Sequence, residues 1–185
     1  MLNLDFSPFP ILETDRLILQ EITDAHAPAL FEMRTDPTIM RYIDRPIPTS
    51  IEEVKELIQK MATMKSAGEG ISWGIFKKDN PSVKIGNIGL YRIIAAHYRA
   101  EIGYMLTTNE HQKGIMFEAM QKVIEFGFSQ IQLHSMEANI NPANLASKKL
   151  LEKAGFVREA YFKENYFFNG QFIDSEIYSL LNTKG

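Results

Sequence analysis

Two stretches of this 185-residue chain hold the residue types from which a binding loop and a proton donor can be built. In the first, Ala100-Glu-Ile-Gly-Tyr-Met-Leu106 leads through the polar loop Thr107-Thr-Asn-Glu-His-Gln-Lys113 to Gly114-Ile-Met-Phe-Glu-Ala119. The pattern is a strand, a loop, and a helix whose first turn has no Ser, Thr or Asp to cap it. The amides of Gln112, Lys113, Gly114, Ile115 and Met116 then point outward. With the helix dipole and the charge of Lys113 they form an anion site. One Gly in a polar strand-to-helix loop is equally an ordinary turn. In the second stretch, Glu137-Ala-Asn-Ile-Asn-Pro-Ala-Asn144 runs from a strand through an Asn-rich loop into Leu145-Ala-Ser-Lys-Lys-Leu-Leu-Glu-Lys-Ala154. Asn144 and Ser147 are three apart and share a helix face. Taken alone, Asn144 is the helix cap and Ser147 a solvated hydroxyl.

The elements that must position these residues follow from apolar spacing. Residues 16–22 read as a strand, and Asp24 as the cap of a helix reaching about Arg34 and ended by Asp36-Pro37. Ser50-Ile-Glu-Glu53 is a capping box, and Val54, Leu57, Ile58, Met61 and Met64 follow at helical spacing until Gly68. Residues 71–78, 84–94 and 99–106 are strands with close connections, one at Asn80-Pro81, which makes an antiparallel meander. A helix over 114–129, a strand over 131–139 and a short helix over 144–154 come next. Strands 157–168 and 172–181 flank Asn169-Gly170, a pair that tolerates the positive φ of a type I′ hairpin turn. The crossover from 99–106 through the helix to 131–139 should be right-handed and put those two strands parallel. A crevice at the C-terminal ends of such strands is where ligands usually bind.

Composition narrows the chemistry. With 20 Lys plus Arg against 23 Asp plus Glu the net charge is −3, without the basic field of a general nucleic-acid binder. The chain has no Cys, which excludes disulfides, thiolate-bound metals and an acyl-cysteine intermediate. No run approaches the ~20 apolar residues of a membrane span, and the first ten residues lack the basic start of a signal peptide, so no membrane, no metal and a cytoplasmic location are expected.

Together the two stretches resemble the GNAT superfamily of N-acetyltransferases, and within it the branch of the ribosomal-protein N-terminal acetylases RimJ and RimL. Thr14-Asp-Arg-Leu-Ile-Leu19 is similar to that branch's opening strand, Ile85-Gly-Asn-Ile-Gly89 to its third and Glu101-Ile-Gly-Tyr-Met-Leu106 to its fourth. Asn144-Leu-Ala-Ser147 through Gly155-Phe156 resembles its Asn-x-x-Ser…Gly-Phe signature, and Asp174-Ser-Glu-Ile-Tyr-Ser-Leu-Leu181 its last strand. The resemblance spans almost the whole chain. It implies one domain over residues 1–185 of α/β (α+β) class. The sheet would be mixed and largely antiparallel, of about seven strands, with helices on both faces and a splayed parallel pair in the middle.

What the resemblance implies for the site is specific. Acetyl-CoA is the co-substrate, its pyrophosphate on the loop Gln112, Lys113, Gly114, Ile115 and Met116, where His111 and Met116 depart from the family's Gln/Arg and small residue. Met105, Leu106 and Thr107 offer free main-chain groups to the pantetheine, and Asn139 and Asn144 sit where the family contacts the rest of CoA. Glu101 takes the position of a general base, with Glu137 and Glu164 as alternatives. The family's acid Tyr is replaced by Leu151, and the RimL-like branch points to Ser147 near the sulfur instead. The Met105 amide is the expected oxyanion donor. Without Cys, direct attack by an amine in a ternary complex is expected. Phe31, Met33, Met40, Tyr42, Trp73, Tyr91, Tyr104 and Phe168 either line an acceptor groove or belong to the core. The acceptor is a peptide N-terminus or a small amine; the rival readings are a non-catalytic acyl-CoA sensor and a nucleotide-binding module, the latter lacking both glycine-rich phosphate motifs. Exposed sheet edges make a homodimer an expectation.

Overall fold

The computed structural model describes residues 1–183. Alternation begins with β1 (Leu12–Glu13) and β2 (Leu17–Glu21), where Leu17 and Leu19 are buried while Ile18 and Gln20 take the opposite face. Helices α1 (Ala27–Thr35), α2 (Pro37–Met40) and α3 (Ile51–Ser66) follow. The meander is β3 (Ile71–Lys77), β4 (Asn80–Ile94) and β5 (Arg99–Leu106). The crossover helix α4 (Ile115–Phe126) leads to β6 (Ser135–Ile140), then α5 (Leu145–Lys153) and the hairpin β7 (Val157–Phe168) and β8 (Gln171–Leu181). The sheet is β1-β2-β3-β4-β5-β6-β8-β7, antiparallel throughout except for the β5–β6 pair.

Several local expectations shift. The sheet has eight strands rather than about seven, because Leu12–Glu13 pairs with Leu19 and Ile18. The expected cap Asp24 instead opens a 3-10 turn, Asp24–His26, that leads into α1 and is capped by Thr23: the His26 ring reaches back to accept the Thr23 amide at 2.9 Å, as a Glu does in a capping box. Ser50 Oγ accepts the Glu53 amide as expected, yet the Glu53 carboxylate takes the amide and hydroxyl of Thr49 instead of the Ser50 amide. Asn80 already pairs with Lys77, so the β3–β4 turn is Lys78–Asp79. The strand expected from 131 starts at Ser135. The helical path runs on through a π-type turn, Gly127–Ile131, and Gln132 turns left-handed at φ +67°, which lets Ile131 and Leu133 fill the core from a non-extended backbone. Asn169 and Gly170 have φ of +47° and +80° between the paired residues Phe168 and Gln171, the expected two-residue hairpin turn.

Each face of the sheet has its own core. Leu17, Leu19, Trp73, Ile88, Leu90, Ile102 and Leu106 pack with Ile115, Ala119, Met120 and Val123 of α4 and Leu151 of α5. On the other face Ile22 and Met105 pack with Leu30 and Met33 of α1 and Val54 and Ile58 of α3. We call these the α4/α5 face and the α1/α3 face. Among the described residues no helix is long and apolar enough to cross a membrane.

Candidate active site

The site begins where pairing stops. β5 and β6 share the rungs Arg99↔Ser135, Ala100↔Met136 and Glu101↔Glu137, after which the strands part. Ile102 to Leu106 keep β4 on one side and have no strand on the other. Ladder parity decides which main-chain groups face the gap. The Thr107 amide donates to Ile85 O at 2.9 Å, which makes Gly86↔Leu106 a non-hydrogen-bonded pair and Asn87↔Met105 a hydrogen-bonded one. The Met105 amide is therefore committed to β4 and is not free for an oxyanion, contrary to expectation. The groups directed into the gap are those of Ile102, Tyr104 and Leu106. His111 lies against this edge, its Nε2 at 3.0 Å from Leu106 O.

At the end of the gap the loop into α4 has the expected form. Gly114 is the residue preceding the helix, at φ +74°, with no side-chain cap, and Gln112 is also left-handed at φ +61°. The amides of Gln112, Lys113, Gly114, Ile115 and Met116 have no acceptor among the described residues, and the first helical bond there is Glu118 N–H to Gly114 O at 3.1 Å. A Cβ on Gly114 would meet only Arg16, at 3.6 Å, so glycine is required by backbone conformation rather than by space. Residues distant in sequence brace the loop. Arg16 donates to Lys113 O at 3.1 Å and pairs with Glu118 at 2.6 Å, while Glu110 holds Lys77 at 2.5 Å and Lys113 at 3.3 Å. Three cations against two carboxylates leave the loop net positive, and the Lys77 hydrogen bond holds the Glu110 carboxyl below its ordinary range. Nothing local marked Arg16, Lys77, Glu110 or Glu118.

On the α4/α5 face of the gap stands a hydroxyl pair. Ser147 is 6% exposed rather than solvated, and its Oγ lies 2.6 Å from the Tyr104 hydroxyl. Burial pushes the Tyr104 phenol up to about 12, so it is a neutral donor. Asn144 is the helix cap, its Oδ1 accepting the Ser147 amide at 3.1 Å. The structure thus supplies a partner for Ser147 in Tyr104, a residue that its type alone leaves open between an acceptor groove and the core.

On the α1/α3 face, Glu101 lies beside Glu137 and opposite Tyr91, its carboxylate 2.8 Å from Arg92. Burial raises its pKa, with Arg92 opposing and Glu137 adding to the rise. Asn139 is exposed, two residues beyond Glu137 and on the same face. Glu164 is exposed on the β7 edge with its amide on Asp174, away from this cluster. Of the expected groove residues, Tyr91 lies on this face, Phe168 stacks on Tyr166, and Phe31 and Tyr42 are half-buried. Met33 and Met40 are core. Trp73 is fully buried on the α4/α5 face with its indole N–H on Pro10 O, so it lines no groove.

Lys84 is unusual on this face: 4% exposed, with Nζ 3.3 Å from Met33 Sδ. Burial, then Arg34, lowers its pKa to about 7. A lysine depressed from 10.5 in the unfolded chain costs stability at low pH, and that cost vanishes as pH rises from about 7 to 10.5. Thermal melts are expected to rise between pH 7 and 9 in the native chain, and clearly less in Lys84→Met.

The acetyltransferase (GNAT) domain family matches residues 16–157. The chain is 37% identical over 176 residues to the uncharacterized N-acetyltransferase YoaA of Bacillus subtilis, covering 95% of this chain and 99% of that protein. It is 29% identical over 114 residues to the ribosomal protein uS5-alanine N-acetyltransferase of Escherichia coli, 61% of this chain and 58% of that protein. The fold superposes on RimL, the ribosomal L7/L12 alpha-N-protein acetyltransferase in complex with coenzyme A, with a TM-score of 0.84 at 21% identity, over 93% of this chain and 98% of that one. The chain belongs to the GNAT acetyltransferase family. Its activity is acetyl-CoA-dependent N-acetylation, and the free β5 edge and uncapped α4 amides fit that co-substrate. Among the described residues no group of His, Asp or Glu is arranged to hold a metal.

Proposed function

We propose that the acceptor is the amine of a peptide or protein N-terminus, and that it attacks acetyl-CoA directly in a ternary complex. The observation that carries this reading is the β5–β6 gap. It opens on the α4 amides at one end and separates the Tyr104–Ser147 pair on one face from Glu101 on the other. The loop Gln112 to Met116 holds the pyrophosphate, and the free β5 edge up to Leu106 holds the pantetheine; Thr107, expected to share that role, has its amide on Ile85 O and its carbonyl on the Glu110 amide and is not free. Glu101 takes the amine proton, directly or through water, as the new C–N bond forms. The Leu106 amide, in place of that of Met105, donates to the carbonyl oxygen. Ser147, backed by Tyr104, donates to the thiolate as the C–S bond breaks. The Bacillus and Escherichia relatives support an amine acceptor, and the RimL likeness supports the fold that presents it. A small-molecule amine is the second reading.

Acetyl-CoA consumption with peptides beginning in Ala or Ser, against small amines, tests the acceptor class. Peptide turnover is expected, and tight CoA binding without turnover of any amine defeats the mechanism. Ser147→Ala should lower kcat about tenfold or more with acetyl-CoA affinity retained, since only the leaving thiolate loses a donor. An unchanged kcat removes Ser147 from the reaction. The reading also places the enzyme with its co-substrate inside the cell, in the cytoplasm. Exposed Phe167 and Phe172 on the terminal hairpin favour a homodimer, which sedimentation would test.

A further inference from the structure

The α1/α3 face carries three cations that acetyl transfer does not use. Lys84 lies beneath α1, Arg34 projects from α1, and Arg45 stands in the segment after α2, its Nη1 3.4 Å from the Tyr166 hydroxyl. None of the three takes part in an ion pair among the described residues. The carboxylates that share the face form their ion pairs elsewhere, Glu101 with Arg92 and Glu137 with Arg99 at 3.3 Å; Arg45 attracts Glu101 and Asp44 without pairing with either, and burial raises the pKa of Asp44 all the same. The cations repel one another: Arg45 acts on Arg34, and Arg34 on Lys84, which in turn disfavours charge on His26. Half-buried positive charge without a counter-charge is costly. A second observation comes from the same strand as Lys84. Asn87, opposite Met105 beside the free end of β5, has a buried Oδ1 with no hydrogen-bond partner, an acceptor atom in need of an N–H.

We propose that this face selects an acceptor whose amine is accompanied by a carboxylate, the acid group held by Arg34 and Lys84 and the amine by Asn87 Oδ1. The inference rests on the reading that the acceptor enters on this face. An anion placed here restores the charge on Lys84, so its binding takes up a proton and strengthens as pH falls from 8 to 6. The carboxylate belongs either to an acidic N-terminal side chain or to a free amino acid, and the probes separate the two.

The test uses acceptors that differ only in carboxylate against carboxamide: the amides of Asp-Ala and Asn-Ala, and of Glu-Ala and Gln-Ala, for the side chain, and serine against serinamide for the free amino acid. The acid member of at least one pair is expected to have about tenfold higher kcat/KM, and Arg34→Gln to bring that ratio close to one. Equal or better turnover of every carboxamide member overturns the proposal, as does an unchanged ratio in Arg34→Gln. Binding of N-acetyl-aspartate amide and N-acetyl-asparagine amide to the CoA complex, measured by calorimetry at pH 6 and 8, needs no turnover. With N-acetyl-serine and N-acetyl-serinamide as the second pair, the acid product of at least one pair should bind more tightly, with a pH dependence lost in Lys84→Met; equal binding within both pairs overturns the proposal. Acid-selective binding without turnover of any amine supports the proposal and defeats the mechanism instead.

Discussion

Glu101→Gln is expected to lower kcat by about 10²- to 10⁴-fold while acetyl-CoA binds almost as before, because the proton that must leave the attacking amine loses its acceptor. Gln keeps the shape and can still accept from Arg92, so the loss isolates basicity. The pH profile is the sharper readout. The base works only when ionised, so the rate rises with pH through the pKa of Glu101. Burial moves that pKa above the ordinary carboxylate range while Arg92 restrains it. The acidic limb of kcat should lie above the usual carboxylate range in the native enzyme and vanish in Glu101→Gln. Folding favours the protonated form of a group with a raised pKa, so this carboxylate costs stability at neutral pH. The variant should melt no lower than the native chain, which separates lost chemistry from lost fold. An unchanged rate, or the same acidic limb in the variant, removes Glu101 from the base role.

The second large effect is expected at Gly114. Gly114→Val forces a β-branched residue into φ +74°, a strain of about 1–3 kcal/mol that the exposed loop relieves by turning its amides away. The amide cradle and the first turn of α4 then lose their alignment, and acetyl-CoA affinity should fall by about tenfold or more, measured as the Kd for CoA. Because a Cβ there meets only the end of Arg16, at 3.6 Å, a clash within the protein does not account for the loss, and Gly114→Ala should show a smaller part of it. Unaltered affinity in both variants moves the phosphate site elsewhere. Arg16→Gln makes a useful contrast: it leaves the loop backbone intact and removes one tether and one charge, so the weakening should diminish at high salt.

The order of the main strands and helices, the Asn169-Gly170 turn and the uncapped α4 entry were legible from the chain, since each depends on residues within a few positions of one another, and the parallel β5–β6 pair followed from the helix between them. The errors fall where local spacing has two readings. Ile131 and Leu133 alternate like a strand but are buried from a turned backbone. Trp73 lies in β3, which is buried on both faces from Trp73 to Phe76, so period-two alternation had no polar partner to show which face it takes.

The sequence by itself determined the elements and the residue types at the gap: a glycine with positive φ before α4, a Ser one turn into α5 and a Glu on β5. Only the tertiary structure decided what those residues meet. Strand register turns the Met105 amide onto β4 and the Leu106 groups into the gap, because successive residues of an antiparallel ladder face opposite edges. Packing between elements pairs Tyr104 with Ser147 across 43 positions and Arg16 with Glu118 across 102. It also gathers Lys84, Arg34 and Arg45 on one face. Charge and hydrogen-bonding capacity are written in the residue types, but whether a group is free, paired or desolvated is set by neighbours that the chain brings in from far along its length.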